Sequence, residues 1–366
     1  MRRASSEPLR VLIAGGGTGG HVIPGLAIAD ELRTYHDAEV RFIGTERGFE
    51  TRLVPAAGYK LELIHVGQLK GVSLRTRART VFDLPAGIAR CLRLLGEFKP
   101  HVVVGVGGYA SGPGMMAALV RRIPTLAFEP NAVPGLANRL IGKWVSAAAV
   151  SFPPAQKYFC NAEVTGIPVR AEFFSVAPKP PDASPSLLVF GGSQGARALN
   201  LAMPGIAAEL LEAVPGLTIL HQAGARHAEA TRAAYAASRA PSDRWQVEAF
   251  LDDMPRRFEA ADLVLARSGA STVAELAAAG KASLLVPFPQ AADDHQRRNA
   301  EVMVQAGGAQ MLLEADLAPE SLLRILGALF SDHVALAQMG DHARSLARPD
   351  AARDIAALVG KLAGRR

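Results

Sequence analysis

Short apolar runs recur along the chain, with long mixed segments between them. Residues 9–14, 40–44, 61–66, 101–105, 125–128 and 147–151 each hold four to six mostly apolar residues, too short for buried helices and the right length for strands covered on both faces. Most of the segments between them can carry a crossover helix, which predicts half of a doubly wound parallel fold. The prolines of Pro178-Lys-Pro-Pro181 and of Asp182-Ala-Ser-Pro185 can continue neither a helix nor a central strand, so 168–185 reads as a linker. Beyond it the pattern returns, with strands expected at 186–190, 218–222, 246–250, 263–266 and 283–287 and an Ala-rich helix over 199–214. The expectation is α/β with two similar domains, 1–167 and 186–346.

Composition narrows the setting. The 366 residues are 49% hydrophobic but only 6% aromatic, as in parallel α/β cores, and the length suits two domains. The two cysteines, Cys91 and Cys160, lie at no metal-ligand spacing, which fits a reducing compartment and excludes a disulfide scaffold. No apolar run reaches about 18 residues, so no membrane span is predicted. A net charge of +6 favours acidic partners: phosphates, nucleic acid or an anionic bilayer.

Three predicted strands run into glycine-rich turns. Gly15-Gly-Gly-Thr-Gly-Gly20-His21 follows the first and precedes a helix over about 24–32. Such a turn lets backbone approach a phosphate or sugar, although the G-x-G-x-x-G within it is weak and a plain strand-to-helix connection explains it equally well. Glu46 lies past the place where a dinucleotide-binding domain carries its ribose acid, which lowers a redox reading without excluding it. The second turn, Gly105-Val-Gly-Gly-Tyr109-Ala-Ser111-Gly-Pro-Gly114, presents two hydroxyl groups. In the third, Gly191-Gly-Ser193-Gln-Gly-Ala-Arg197, backbone amides, a hydroxyl and a guanidinium can converge on a diphosphate.

The fourth such segment, Arg267-Ser-Gly-Ala-Ser-Thr-Val-Ala-Glu275, is a hydroxyl-rich helix start. Thr272 and Glu275 read as a T-x-x-E capping box, a structural role that competes with a phosphate and ribose site built from the same residues.

Taken together, Gly16-Gly-Thr-Gly-Gly-His-Val-Ile-Pro-Gly-Leu-Ala27, Gly107-Gly-Tyr-Ala-Ser-Gly-Pro113, Asn131-Ala-Val-Pro-Gly-Leu136, Gly191-Gly-Ser-Gln-Gly-Ala-Arg197 and Arg267-Ser-Gly-Ala-Ser-Thr-Val273 resemble the MurG family in content, order and spacing. The resemblance spans about residues 9 to 344. It implies a GT-B architecture, two Rossmann-like domains with a cleft between them, and a C-terminal helix within 347–366 that returns to the first domain. The implied reaction is inverting transfer of N-acetylglucosamine from UDP-N-acetylglucosamine to the muramoyl sugar of a lipid-linked muramoyl-pentapeptide, at the cytoplasmic face of the membrane.

By motif matching the donor would meet Thr18, Gly19, Gly20, Asn131, Arg170, Ser193, Leu251, Ala270, Ser271, Thr272, Val273, Glu275 and Gln296. Tyr109 and Ser111 would face the acceptor. The resemblance implies no cofactor, no metal and no nucleic acid partner. The chain departs from the family's pattern at Phe128-Glu-Pro130, where His-Glu-Gln is usual, and at Ile167, where Asn is usual.

Sugar transfer to a hydroxyl needs a proton acceptor and stabilisation of the leaving diphosphate. His21 is the first candidate base, since an ordinary imidazole is largely neutral near pH 7, and Glu129 is the second. A histidine that only caps its own turn is the rival reading. The pairs Asp252-Asp253 and Asp293-Asp294 are adjacent rather than spaced for a metal, so helix termini and hydroxyls are expected to stabilise the leaving group. Basic residues Lys70, Arg75, Arg77, Arg79, Arg90 and Arg93, interleaved with Val72, Leu74, Val81, Phe82, Leu84, Ile88 and Leu92, suit either an anionic membrane surface or an amphipathic core helix. Other readings stay open: a GT-B transferase with a different lipid acceptor, a nicotinamide-dependent oxidoreductase, and a noncatalytic nucleotide-sugar sensor.

Overall fold

The computed structural model describes residues 7–46, 48–66, 74–180 and 183–365, with 74–84 as backbone alone. The chain divides into two compact units, Met1–Pro168 with Asp350–Arg366, and Val169–Pro349.

The first unit runs β1 (Leu9–Gly15), α1 (Gly19–His36), β2 (Ala38–Thr45), α2 (Glu50–Ala56), β3 (Lys60–Ile64), α3 (Leu74–Phe98), β4 (Val102–Gly107), α4 (Ser111–Val120), β5 (Thr125–Glu129), α5 (Leu136–Ile141), β6 (Ala147–Val150) and β7 (Ala162–Val164). All seven strands are parallel, in the order β3-β2-β1-β4-β5-β6-β7. Strand order reverses between β1 and β4, and a doubly wound sheet opens a crevice at the carboxyl ends of the strands there. Leu12, Ile43 and Val103 of the sheet pack against Cys91, Leu94, Leu95 and Phe98 of α3 and Met115, Ala117 and Ala118 of α4. The sequence pattern misses β7, whose three residues are too few and too polar to register.

The second unit continues with α6 (Ala171–Phe174), β8 (Ser186–Phe190), α7 (Arg197–Ala213), β9 (Thr218–Gln222), α8 (Ala228–Ala237), β10 (Trp245–Glu248), α9 (Met254–Ala260), β11 (Leu263–Ala266), α10 (Ala270–Ala279), β12 (Ala282–Leu285), α11 (His295–Gln305), β13 (Ala309–Met311), α12 (Pro319–Ser331) and α13 (His333–Arg344). Its six strands are again parallel, ordered β10-β9-β8-β11-β12-β13, with the reversal between β8 and β11. Residues 169–180 pack with this unit: Phe173 is fully buried, edge-on to Phe258. Pro181 and Asp182 lie outside the described residues.

The last helix, α14 (Ala351–Leu362), packs on α1 and belongs to the first unit. It buries Ile355 and Val359 along one stripe. No single helix among the described residues is long and apolar enough to cross a membrane.

Candidate active site

Both sheets bring glycine turns to the carboxyl ends of the strands flanking their reversal, and the sequence-predicted residues divide between the two units. In the first unit, the turn after β1 meets the turn after β4 backbone to backbone. The Gly16 amide donates to the Gly107 carbonyl at 3.2 Å. A Cβ on Gly108 would stand 2.0 Å from the Gly16 carbonyl oxygen, and Gly108 adopts a φ of +79°, so only glycine fits there.

Thr18 caps α1 and is exposed; His21 follows in the first helical turn. The His21 imidazole lies against Gly107, where a Cβ would come within 2.7 Å of the ring, and its Nδ1 is 3.2 Å from the Thr18 hydroxyl oxygen. Gly19 and Gly20 supply the first amides of α1, which have no intrahelical acceptor. Tyr109 is 39% exposed at the mouth of this crevice, whereas Ser111 is fully buried beneath it. The Ser111 hydroxyl, expected to face the acceptor, lies beside Gly105 at the start of α4.

Glu129 ends β5 and is 2% exposed. Its Oε1 accepts from the Asn131 amide at 3.0 Å and the Asn131 side chain at 3.1 Å; Oε2 accepts from the Gly135 amide at 3.2 Å and Asn138 at 2.9 Å. Burial pushes its pKa up, and these donors pull it back only in part. A carboxylate so occupied organises the loop that presents Asn131. Pro130 is buried just after β5, and Phe128 is fully buried within that strand.

A residue that the sequence pattern does not single out completes this cluster. Glu50, the first residue of α2, is 1% exposed and reaches back to the Gly17 amide at 2.7 Å. In a dinucleotide-binding domain the acid beyond β2 faces the ribose. Here the Glu50 carboxylate bonds the turn itself, and Glu46, the acid weighed for that role, is exposed.

In the second unit, α10 begins with Gly269 as its cap, not with Thr272. The expected Thr272–Glu275 capping box therefore does not form: the helix starts earlier, and Glu275 sits past its first turn. The opening amides of α10, with Ser271 and Thr272 partly exposed beside them, make an anion-binding end. Ser268, by contrast, is fully buried. Glu275 keeps some solvent contact, yet desolvation pushes its pKa up to about 7 while the charge of Arg170 pulls the other way. Arg170 itself is exposed and stacks over Phe173 at 5.2 Å.

Gln222, unremarked in the sequence, ties two loops of this cluster together. Its Nε2 donates to the Gly192 carbonyl at 2.9 Å and its Oε1 accepts from the Leu251 amide at 3.0 Å. The neighbouring Ser193 is exposed. A cavity of about 540 Å3 opens beside the turn, lined by Gly191, Gly195 to Ala198 and Leu201 on one side and Arg267, Phe288, Gln290, Gln296 and Glu314 on the other. Arg267 is fixed by the carbonyls of Val286 and Pro287, each at 3.0 Å, and by the Glu314 carboxylate. Gln296 accepts from the Phe288 amide at 3.0 Å. Among the described residues no group of three or more His, Cys, Asp or Glu side chains is placed to hold a metal ion.

The glycosyltransferase family 28 N-terminal domain matches residues 11–150, and the C-terminal domain of the same family matches 186–355. An N-acetylglucosamine transferase of Solibacter usitatus, named for UDP-N-acetylglucosamine and N-acetylmuramyl-(pentapeptide) pyrophosphoryl-undecaprenol, is 44% identical over 96% of both chains. Its counterpart in Anaeromyxobacter sp. (strain K) is 43% identical over 98% of this chain and 94% of its own. The crystal structure of Acinetobacter baumannii MurG superposes with a TM-score of 0.82 at 32% identity, covering 97% of this chain and all of that one. The chain belongs to the MurG family. As in GT-B enzymes of that family, each half is a Rossmann-like unit. The departures at Phe128 and Ile167 from the MurG pattern are both buried apolar positions, at 0% and 4% exposure.

Proposed function

We infer that the chain transfers N-acetylglucosamine from UDP-N-acetylglucosamine to the muramoyl hydroxyl of undecaprenyl-pyrophosphoryl-N-acetylmuramoyl-pentapeptide, giving the lipid-linked disaccharide used in peptidoglycan synthesis. The observation that carries this is near full-length similarity to enzymes named for that reaction, in a chain with a glycine-turn cluster at the reversal of each sheet. In the reaction the acceptor oxygen attacks C1 of the donor sugar as the C1–O bond to UDP breaks, inverting the anomeric centre. His21, whose Nδ1 lies 3.2 Å from the Thr18 hydroxyl oxygen, takes the acceptor proton. The amides opening α10, with Ser271 and Thr272, stabilise the negative charge gathering on the departing diphosphate. Glu275 bonds the ribose hydroxyls, and the Gln222-anchored loop at Leu251 faces the uracil.

The acceptor is a polyprenyl lipid, and a surface of the first unit suits a bilayer. Met116 and Val120 of α4, Leu136 and Leu140 of α5, and Trp144 just beyond are exposed, Val120, Leu140 and Trp144 by 67–74%. Arg121, Arg122 and Lys143 lie among them in sequence and are exposed too. Apolar side chains beside cations fit an anionic lipid surface at the cytoplasmic face. In the basic stretch Ile88 and Leu92 pack on the core, and Arg90 and Arg93 are exposed. Lys70 and Val72 lie outside the described residues, as do the side chains of Leu74, Arg75, Arg77, Arg79, Val81, Phe82 and Leu84.

The decisive assay is radiolabelled transfer from UDP-N-acetylglucosamine to a short-chain lipid pyrophosphoryl-muramoyl-pentapeptide in the presence of EDTA, with UDP release followed in parallel. Stoichiometric transfer and release are expected. Tight donor binding without transfer would instead favour a changed acceptor or a sensor.

A further inference from the structure

The Gly17 amide, in the turn that a ligand anion occupies in many nucleotide folds, is already bound by an internal carboxylate. Glu50 Oε2 accepts from it at 2.7 Å, while Oε1 accepts from the Thr45 amide at 2.9 Å and the Thr45 hydroxyl at 2.8 Å. The surrounding chain is shaped to this side chain. A Cβ on Gly16 would stand 2.2 Å from the Glu50 carboxyl carbon, one on Gly44 2.5 Å from its Cγ, and one on Gly48 1.9 Å from Oε2. The Gly17 carbonyl is held as well, by the Phe49 amide at 3.4 Å. With Gly16 tied to Gly107, the turn is clamped between the ends of β2 and β4. Thr18 is the first residue beyond the clamp, and His21 follows one helical turn later.

We propose that Glu50 is a positioning residue for the transfer reaction: it occupies the turn in place of a ligand anion and thereby sets where Thr18 and His21 stand against Gly107. The proposal rests on the reading that Thr18 and His21 face the reacting groups. Both carboxylate oxygens are needed, because the donors approach from two sides. A glutamine offers one oxygen and one NH2 group, so whichever way it turns, a donor meets a donor at Gly17 or at the Thr45 amide. A loosened turn displaces the proton acceptor without touching the donor-binding residues of the second unit.

The test uses the full chain with Glu50→Gln, Thr45→Val and His21→Ala beside the parent protein. Steady-state transfer kinetics, UDP affinity by calorimetry and thermal melting are measured for each. For Glu50→Gln the expected result is a kcat lower by about tenfold or more, since small misplacements of reacting groups are costly, with UDP affinity within about twofold. Thr45→Val, which keeps the Gly17 bond, should fall between that variant and the parent. A Glu50→Gln protein with parental kcat, or one whose loss appears as a raised donor KM at unchanged kcat, overturns the proposal. Should Glu50→Gln not fold, a parental kcat in Thr45→Val does so. His21→Ala separates the two ideas: if its turnover is parental the reading of the site has failed, and if it alone is impaired only the role of Glu50 has.

Discussion

Two buried or crowded carboxylates with raised pKa values lie among the candidate residues, and their surroundings give them different tasks. Glu129 meets four donors and is 2% exposed, which suits holding a loop in place. Glu275 has no such cage and titrates near 7 instead of its ordinary 4.5. The folded chain therefore holds this proton more tightly than the unfolded chain does. The stability it contributes is full below about pH 4.5 and is lost as pH rises through about 7. Glu275→Gln removes the titration, so its melting temperature relative to the parent is expected to climb between pH 5 and pH 8; a difference constant with pH counts against the shift. Glu275→Ala should weaken UDP-N-acetylglucosamine binding, measured by calorimetry, whereas unchanged affinity would remove the ribose contact. His21→Ala is expected to lower turnover strongly with UDP affinity nearly intact, as the proposed base belongs to the first unit and the proposed nucleotide contacts to the second.

At the scale of elements, each half-site depends on how closely the loops after neighbouring strands approach. Gly108 and Gly16 touch through backbone, as do Gly195 and Ala223, where an added Cβ would stand 1.8 Å from the Ala223 carbonyl oxygen. Gly108→Ala must both strain a left-handed backbone and part the two turns, a cost on the order of 1–3 kcal/mol for the strain alone. The expected outcome is a lower melting temperature together with a lower kcat; a fully stable, fully active variant would show that the turns need not touch. Gln222 joins loops in the second unit much as Glu50 joins them in the first, by side-chain bonds to backbone across neighbouring strands.

For the molecule as a whole, substrate and surface chemistry have to agree. A polyprenyl acceptor stays in the bilayer, so the enzyme must reach it there, and the exposed apolar residues of α4 and α5 with Trp144 are the proposed docking surface. Leu140→Asp and Trp144→Ala are expected to reduce co-sedimentation with anionic vesicles and raise KM for a long-chain acceptor in membranes. Turnover with a short-chain soluble acceptor should be unchanged. Binding of the parent protein should weaken with salt, because surface cations act through screened fields. Equal binding of parent and variants to the vesicles would assign the docking role elsewhere on the chain.

Alternation of short apolar strands with crossover segments was enough to determine two parallel α/β halves, since burial on both faces of a sheet leaves a local mark in every strand. The glycine turns were legible for the same reason: close backbone approach excludes side chains at fixed positions. What bonds to those turns was not. Glu50 and Gln222 look like ordinary polar residues until the fold carries them to partners 33 and 30 residues away. Whether Thr272 capped a helix, whether Ser111 and Ser268 reached solvent, and whether Ile88 and Leu92 pointed outward were also decided by tertiary packing. Sequence spacing states which groups are near along the chain, and only the packed sheets decide which of them share a site, face water or spend their hydrogen bonds on the protein itself.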